Sequence, residues 1–453
     1  MIRTAPAPSA TSDAPDLYRA FWRWHFYAGL LILPVLVMMA VTGGLYLFKP
    51  EIERALYRPM MNVEPRAAMT DPDGWIATAA DALGGRVARV ELSDRPDQAV
   101  RLVVETPAGQ RTAFVDPYDG RLTGSIAELG VMQTVKRLHS LDIAGRIPNI
   151  LIEVVAGWAL VMIATGVFLW WPRGRSGGVM TVRGRPGARL FWRDLHAVTG
   201  FSAAAIIMFL AVTGMPWSAV WGDQVRKMTT AAGWGAPTPP AAAAAWSHGG
   251  HKPAAAEAVP WALQDTHLHM DHPPMRVGLT LSTALAAARS EGLPRPLAVA
   301  IPGDPGKAWS VSRTADRAED LRTLYLASDD GRVLADIGYA AYGPAAKAIQ
   351  WGIATHQGQE YGPANRWLML AGCVAVVLLA VSSVVMWWKR RPSGRLGAPP
   401  RPASRRAYAG LAAVILPLAI LYPLVGVSLA VVLLADLAIT RLARVFRPTI
   451  GAA

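Results

Sequence analysis

A single cysteine, Cys373, among 453 residues removes a range of chemistry at once. It excludes a disulfide within the chain, a thiolate-held iron–sulfur cluster and haem attached covalently through C-x-x-C-H. Charge is scarce too: 17% of residues are Asp, Glu, Lys or Arg while 52% are hydrophobic, a balance too apolar for an ordinary soluble protein. No G-x-G-x-x-G phosphate loop and no soluble cytoplasmic stretch is available for a nicotinamide or flavin. What the sequence has instead is long apolar runs. Four of about 20 residues, the length that crosses a hydrocarbon core, lie near 26–48, 150–171, 197–218 and 367–388. The first is too long for a cleaved signal peptide and lacks a small-residue cleavage site. A fifth run, 408–440, is broken by Pro417, Pro423 and Gly426 and reads as one tilted span or a tight hairpin of two.

Arginine and lysine give the orientation. The stretch "WPRGRSGGVMTVRGRPGARLFWR" holds Arg173, Arg175, Arg183, Arg185, Arg189 and Arg193, and "KRRPSGRLGAPPRPASRR" is equally basic, so both are expected inside. The expected order is a cytoplasmic segment 1–20, a span 21–48, an external domain 49–138, a span 149–171 and a cytoplasmic Arg-rich loop 172–190. A span 191–218, an external domain 219–355, a span 363–389, a basic cytoplasmic loop 390–407 and the carboxyl-terminal run 408–442 follow. The net charge of +13 is a topology signal on this reading. It does not mark a nucleic-acid surface, because the arginines flank spans and form no single patch.

The chain also echoes itself. His25 and His196, Gly29 and Gly200, Thr42 and Thr213, and Gly43 and Gly214 are all 171 positions apart. A second set, His139 and His356, Trp170 and Trp387, and Trp171 and Trp388, shares an offset of 217. In the external segments "VDPYDGRLTG" resembles "ASDDGRVLAD", each read as strand, tight Asp-Gly turn, strand. Before them come alanine-rich helical stretches, "WIATAADAL" and "LSTALAAARS", and strand-like "RVARVELS", "QAVRLVVE", "PLAVAIP" and "AWSVSRT". The expected fold class is a membrane α-helical bundle with internal duplication. A helix, an external α+β domain and a returning helix are made twice, about an axis along the membrane normal, and a carboxyl-terminal hydrophobic helix or hairpin follows.

Topology sorts the four matched histidines by face: His25 and His196 at the cytoplasmic side, His139 and His356 at the external side. A two-fold axis lets each pair approach one flat, nearly symmetric ligand with two axial positions. Two b-type haems with bis-histidine ligation fit that requirement. Gly29, Gly43, Gly44, Gly200 and Gly214 would admit a close neighbour. One interfacial histidine is more often a hydrogen-bonding anchor than a ligand; four at duplicated positions favour ligation. The Thr-Gly pairs read as helix packing, and Trp170–Trp171 and Trp387–Trp388 as interfacial anchors. Five further histidines, His248, His251, His267, His269 and His272, lie with Met270 and Met275 in an external stretch. Imidazole and thioether suit copper, and the stretch reads equally as an accessory metal-capturing loop or a solvated linker.

The stretches "FWRWHFYAGLLILPVLVMMAVTG", "LHSLDIAGRIPNILIEVVAG" and "THQGQEYGPANRWLMLAG" resemble the PepSY-associated transmembrane family, also called iron-regulated membrane or iron uptake proteins, over roughly residues 15–392. The resemblance implies a multi-pass bacterial inner-membrane protein with PepSY-like periplasmic domains. Its best understood branch is dihaem reductases that release iron from ferric siderophores. Carried onto this chain, the haem-iron ligands are His25, His139, His196 and His356, with no other catalytic residue. The expected partners are a ferric siderophore or other periplasmic metal chelate and an electron donor, a quinol or a cytoplasmic reductase; no nucleic acid is expected. A cupric reductase or copper-handling protein and a non-catalytic PepSY regulator or peptide-binding protein are the competing readings.

Overall fold

The computed structural model describes residues 14–434 except 128–129, 175–176, 238–259, 261–262, 264–277, 305–306, 394–396, 398, 400–401, 403 and 433. In chain order the helices are α1 (Ala14–Tyr46), α2 (Lys49–Met61), α3 (Pro72–Leu83), α4 (Val131–His139), α5 (Arg146–Trp170), α6 (Arg189–Gly214), α7 (Trp221–Ala231), α8 (Leu281–Ser290), α9 (Pro344–His356), α10 (Gly362–Arg390) and α11 (Arg405–Leu421). Strands β1 (Arg86–Leu92), β2 (Val100–Thr106), β3 (Gly109–Val115) and β4 (Leu122–Ala127) follow α3, and β5 (Leu297–Ala300), β6 (Trp309–Arg313), β7 (Arg322–Leu326) and β8 (Val333–Gly338) follow α8. The chain divides into a helical unit, Met1–Val41, Ile147–Trp221 and Ala371–Ala453, and a sheet unit, Thr42–Arg146 and Gly222–Leu370.

Four helices are long and apolar enough to cross a membrane: Asp16–Tyr46, Arg146–Trp170, Arg189–Trp217 and Gly362–Arg390, with mean hydropathies of 2.2, 2.2, 2.0 and 2.7. Within the helical unit, Phe21 and Ile32 of α1, Trp158 of α5 and Leu411 and Ile415 of α11 share one buried cluster. Ala40, Ala203, Ile207 and Val376 form a second. The carboxyl-terminal run is two short helices: α11 ends at Leu421, Tyr422 leaves helical geometry, and Pro423–Val432 resumes the helix. Proline cannot donate to the preceding turn and pushes the residue before it out of the helical region, which is what breaks the run here. Glycines seat this segment closely. A Cβ on Gly157 would run into Val425, and one on Gly410 would lie 2.7 Å from Leu17.

Strands from residues 86–127 and 297–338 join in one eight-stranded antiparallel sheet, in the order β4-β3-β2-β1-β5-β6-β7-β8. Read outward from the centre, each side runs through its own strands in sequence order. The central seam pairs Arg89 with Ala300, Val90 with Val299, Glu91 with Ala298 and Leu92 with Leu297. Alternation puts Val90, Leu102, Val299 and Leu324 on one face, where they meet Trp75 of α3 and Leu281 and Ala284 of α8 in the main core. The two helices are also joined at their first turns, because Asp73 accepts from the Leu281 N–H at 2.7 Å and Asp71 accepts from the Ser282 hydroxyl at 2.6 Å. Each helix start carries partial positive charge and unsatisfied N–H groups, so two carboxylates between them neutralise what would otherwise repel.

The two Asp-Gly connections are wider than the tight turn the sequence suggests. In each, the first N–H donates five residues on, Asp116 to Arg121 and Ala327 to Arg332, at 2.9 Å in both cases. The Asp119 and Asp330 carboxylates accept from the Arg121 and Arg332 N–H groups. Gly120 and Gly331 sit at φ 72° and 76°, the left-handed conformation that glycine adopts without steric cost. The aspartate turn inserts extra residues, and the glycine reverses the chain at its end.

Candidate functional site

In the helical unit α1 and α6 bring His25 and His196 together, with ring centroids 6.4 Å apart and planes at 88°. Both rings are only partly buried. Each has a hydroxyl on its Nδ1: Thr165 of α5 lies 2.9 Å from His25 and Ser382 of α10 lies 3.0 Å from His196. The Thr165 hydroxyl donates to the Val161 carbonyl at 2.8 Å, and the Ser382 hydroxyl donates to the Leu379 carbonyl at 3.0 Å. In the tautomer that fits these backbone bonds, each hydroxyl oxygen accepts a hydrogen bond from a ring Nδ1–H. Each Nδ1 carries hydrogen, and each Nε2 keeps its lone pair for a ligand.

Thr165 and Ser382 are 217 positions apart, the offset of the external histidines. So are Met162 and Leu379, which face Gly29 and Gly200 at 3.3 and 3.5 Å from the position of an added Cβ. Aromatic rings surround the level of His25: Phe21 stacks on Phe168 at 3.8 Å and Trp170 on Phe201 at 3.6 Å. Trp170 also donates to the Val179 carbonyl, so it ties the basic loop to its helix. Asp194, two residues before His196 and 1% exposed, accepts from Arg183 at 2.8 Å and from Arg193 at 2.7 Å.

The donor set can be tested against the ligands it could hold. Among the described residues no group of three or more His, Cys, Asp and Glu is placed to bind a metal. A bare ion at this pair would have two protein ligands, too few for the four to six that common protein-bound ions take. A metal that brings its own equatorial ligands needs only two axial donors. With metal–nitrogen bonds of about 2 Å and roughly 1.2 Å from each nitrogen to its ring centre, two imidazoles sharing one metal would have centroids about 6.4 Å apart, and those of His25 and His196 are 6.4 Å apart.

The other two histidines lie in the sheet unit, each as the last residue of a short helix before a spanning one: His139 ends α4 and His356 ends α9. Both segments converge on the end of α1. His139 Nδ1 lies 3.0 Å from the Thr42 hydroxyl. Two residues after His356, the chain turns at Gly358, where a Cβ would meet Arg366 at 2.9 Å and Leu47 at 3.1 Å. Arg366 pairs with Glu51 at 2.6 Å, and Trp367 meets Phe48 edge to face. His248, His251, His267, His269 and His272 fall outside the described residues.

The model of the PepSY-associated TM region matches residues 22–390. The chain belongs to this family. Comparison with curated proteins gave no match. The family match spans all four histidines at 25, 139, 196 and 356 and the two hydroxyl residues, and it ends before α11. Thr165 and Ser382 are the site residues that motif reading misses, since a hydroxyl in an apolar helix looks like ordinary back-bonding. The signal that finds them is their offset, shared with His139 and His356.

Proposed function

We propose that this membrane protein of the PepSY-associated TM family is a b-type dihaem oxidoreductase of the bacterial inner membrane. On this reading it carries electrons across the bilayer to a periplasmic ferric chelate, and the chain is an internal duplication whose two copies each contribute one histidine to each haem. The observation that carries the reading is the His25–His196 pair, with matched hydroxyls on both Nδ1 atoms and a centroid separation of 6.4 Å. His139 and His356 are the second ligand pair. Thr42, the hydroxyl partner of His139, lies 17 positions after His25 in α1, a rise of about 25 Å.

Bound haem would supply one-electron chemistry. The chain's own residues, Thr165 and Ser382, would hold the ring nitrogens in one tautomer and orientation. Hard oxygen chelators hold ferric iron far more tightly than ferrous, so one electron passed to a ferric siderophore loosens the complex without a proton or a covalent step. A membrane quinol or a cytoplasmic reductase supplies that electron.

The test is a pyridine haemochrome assay with reduced spectra on protein purified from haem-replete cells. About two haems per chain with low-spin bis-histidine spectra are expected. His25→Ala or His196→Ala should remove one haem, and His139→Ala or His356→Ala the other. Well-folded protein without haem overturns the proposal.

A further inference from the structure

The hydroxyls of Thr165 and Ser382 have an ordinary structural explanation that covers only half of their bonding. Serine and threonine inside apolar helices commonly donate to a carbonyl one turn back. Thr165 does so to Val161, and Ser382 to Leu379. Ser383, in the same turn, does only this, donating to Ala380 at 2.8 Å. Thr165 and Ser382 differ because the oxygen also receives a histidine Nδ1–H, in two helices and at positions 217 apart. Thr165 is 1% exposed and Ser382 0%, so no water competes for these bonds.

We infer that Thr165 and Ser382 are positioning residues that present the Nε2 atoms of His25 and His196 and, through the Nδ1–H···O bonds, set the potential of the iron held between them; this rests on the haem reading above. An acceptor on Nδ1–H gives the imidazole more anionic character and makes it a stronger donor. A stronger donor favours ferric over ferrous iron. Without the hydroxyl, the ring loses this support and the ferrous state gains. A neutral buried hydrogen bond contributes on the order of 1 kcal/mol. The expected change is therefore about fivefold in the ferrous-to-ferric ratio at fixed potential for each hydroxyl removed, which for one electron is about 43 mV upward.

The experiment is a potentiometric titration of the full-length holoprotein, following the haem that His25→Ala removes. Thr165→Val keeps the branched shape and loses the hydroxyl, and Ser382→Ala does the same for the other ring. Each should retain both haems and raise that midpoint by about fivefold in ratio, leaving the second haem unmoved. Thr165→Ser should restore the wild-type value, and Ser383→Ala should never depart from it. An unmoved midpoint in both Thr165→Val and Ser382→Ala, or an equal shift in Thr165→Ser or Ser383→Ala, overturns the inference while the haem reading stands. If Thr165→Val does not fold, Ser382→Ala decides the matter alone. Wild-type protein without haem overturns the reading and the inference with it.

Discussion

The two returning helices, α5 and α10, agree where they face histidines and part company elsewhere. Met162 and Thr165 on α5 correspond at 217 positions to Leu379 and Ser382 on α10; the hydroxyls meet His25 and His196, and Met162 and Leu379 face Gly29 and Gly200. Nearer the amino-terminal ends, Glu153 corresponds to Leu370 and Gly157 to Val374. Glu153 is fully buried and accepts from the Val220 and Trp221 N–H groups at 3.1 and 3.0 Å, while Gly157 leaves room for Val425. Val374 is 58% exposed. A hydroxyl at the same offset meets a histidine Nδ1 on both helices. A neighbour present on one side only, α11 and its continuation, frees the other to take bulky apolar residues that face lipid.

The largest effect expected from breaking this contrast is at Glu153. Glu153→Leu, which installs what stands at position 370, leaves two N–H groups at the start of α7 without their acceptor in a buried setting. A loss of about 3 kcal/mol is expected, read as a lower thermal unfolding midpoint in detergent, with Glu153→Gln losing less because an oxygen acceptor remains. Gly157→Val copies the residue at 374 and drives a side chain into Val425. Overpacking of this kind costs about 1–3 kcal/mol, and it should loosen the carboxyl-terminal helices to added protease, whereas Val374→Gly should cost only the helix propensity of glycine, about 1 kcal/mol.

The outgoing helices α1 and α6 offer a smaller contrast. Arg23 and Asp194 are 171 positions apart; Arg23 donates to the Pro399 carbonyl at 2.6 Å, while Asp194 holds Arg183 and Arg193. Both arginines are more than two-fifths exposed, so screening limits the Asp194→Ala loss to roughly 1 kcal/mol. The sharper readout is faster proteolysis within 177–188. The smallest effect compares the caps of α3 and α8, Asp71 and Thr280. The Ser282 hydroxyl, and after it the Asp73 N–H, hold the Asp71 carboxyl below its ordinary value of 3.8. A lowered carboxyl stabilises above its unfolded value, and the contribution disappears as pH falls through the folded one. Acid titration of the melting midpoint should show a shallow slope below about pH 4, and Asp71→Asn should flatten it. Thr280, which caps α8 through its hydroxyl, gives no such slope.

Much of this was legible in the residues. Apolar length marked all four spanning helices, since about 20 apolar residues have few other places to go. Alanine-rich "LSTALAAARS" became α8 residue for residue, and the strand-like stretches became β1, β2, β5 and β6 with ends shifted by one or two positions. The histidine offsets marked positions 25 and 196, and α1 and α6 do bring those rings together. The six-residue turns were read too short, because a run with Asp and Gly in it does not say how many residues the aspartate carboxylate will organise.

Sequence alone determined the membrane class, the family and the pairing of histidines by position, because periodicity, composition and repeated spacing are properties of the chain. Only the tertiary structure decided that β1 and β5 lie side by side, since a strand edge does not name its partner until both are folded. It alone chose Asp73 to cap a helix more than 200 residues away. It alone assigned the Nδ1 atoms of His25 and His196 to Thr165 and Ser382, because a hydrogen bond is fixed by distance and direction between atoms that the sequence leaves 140 and 186 positions apart.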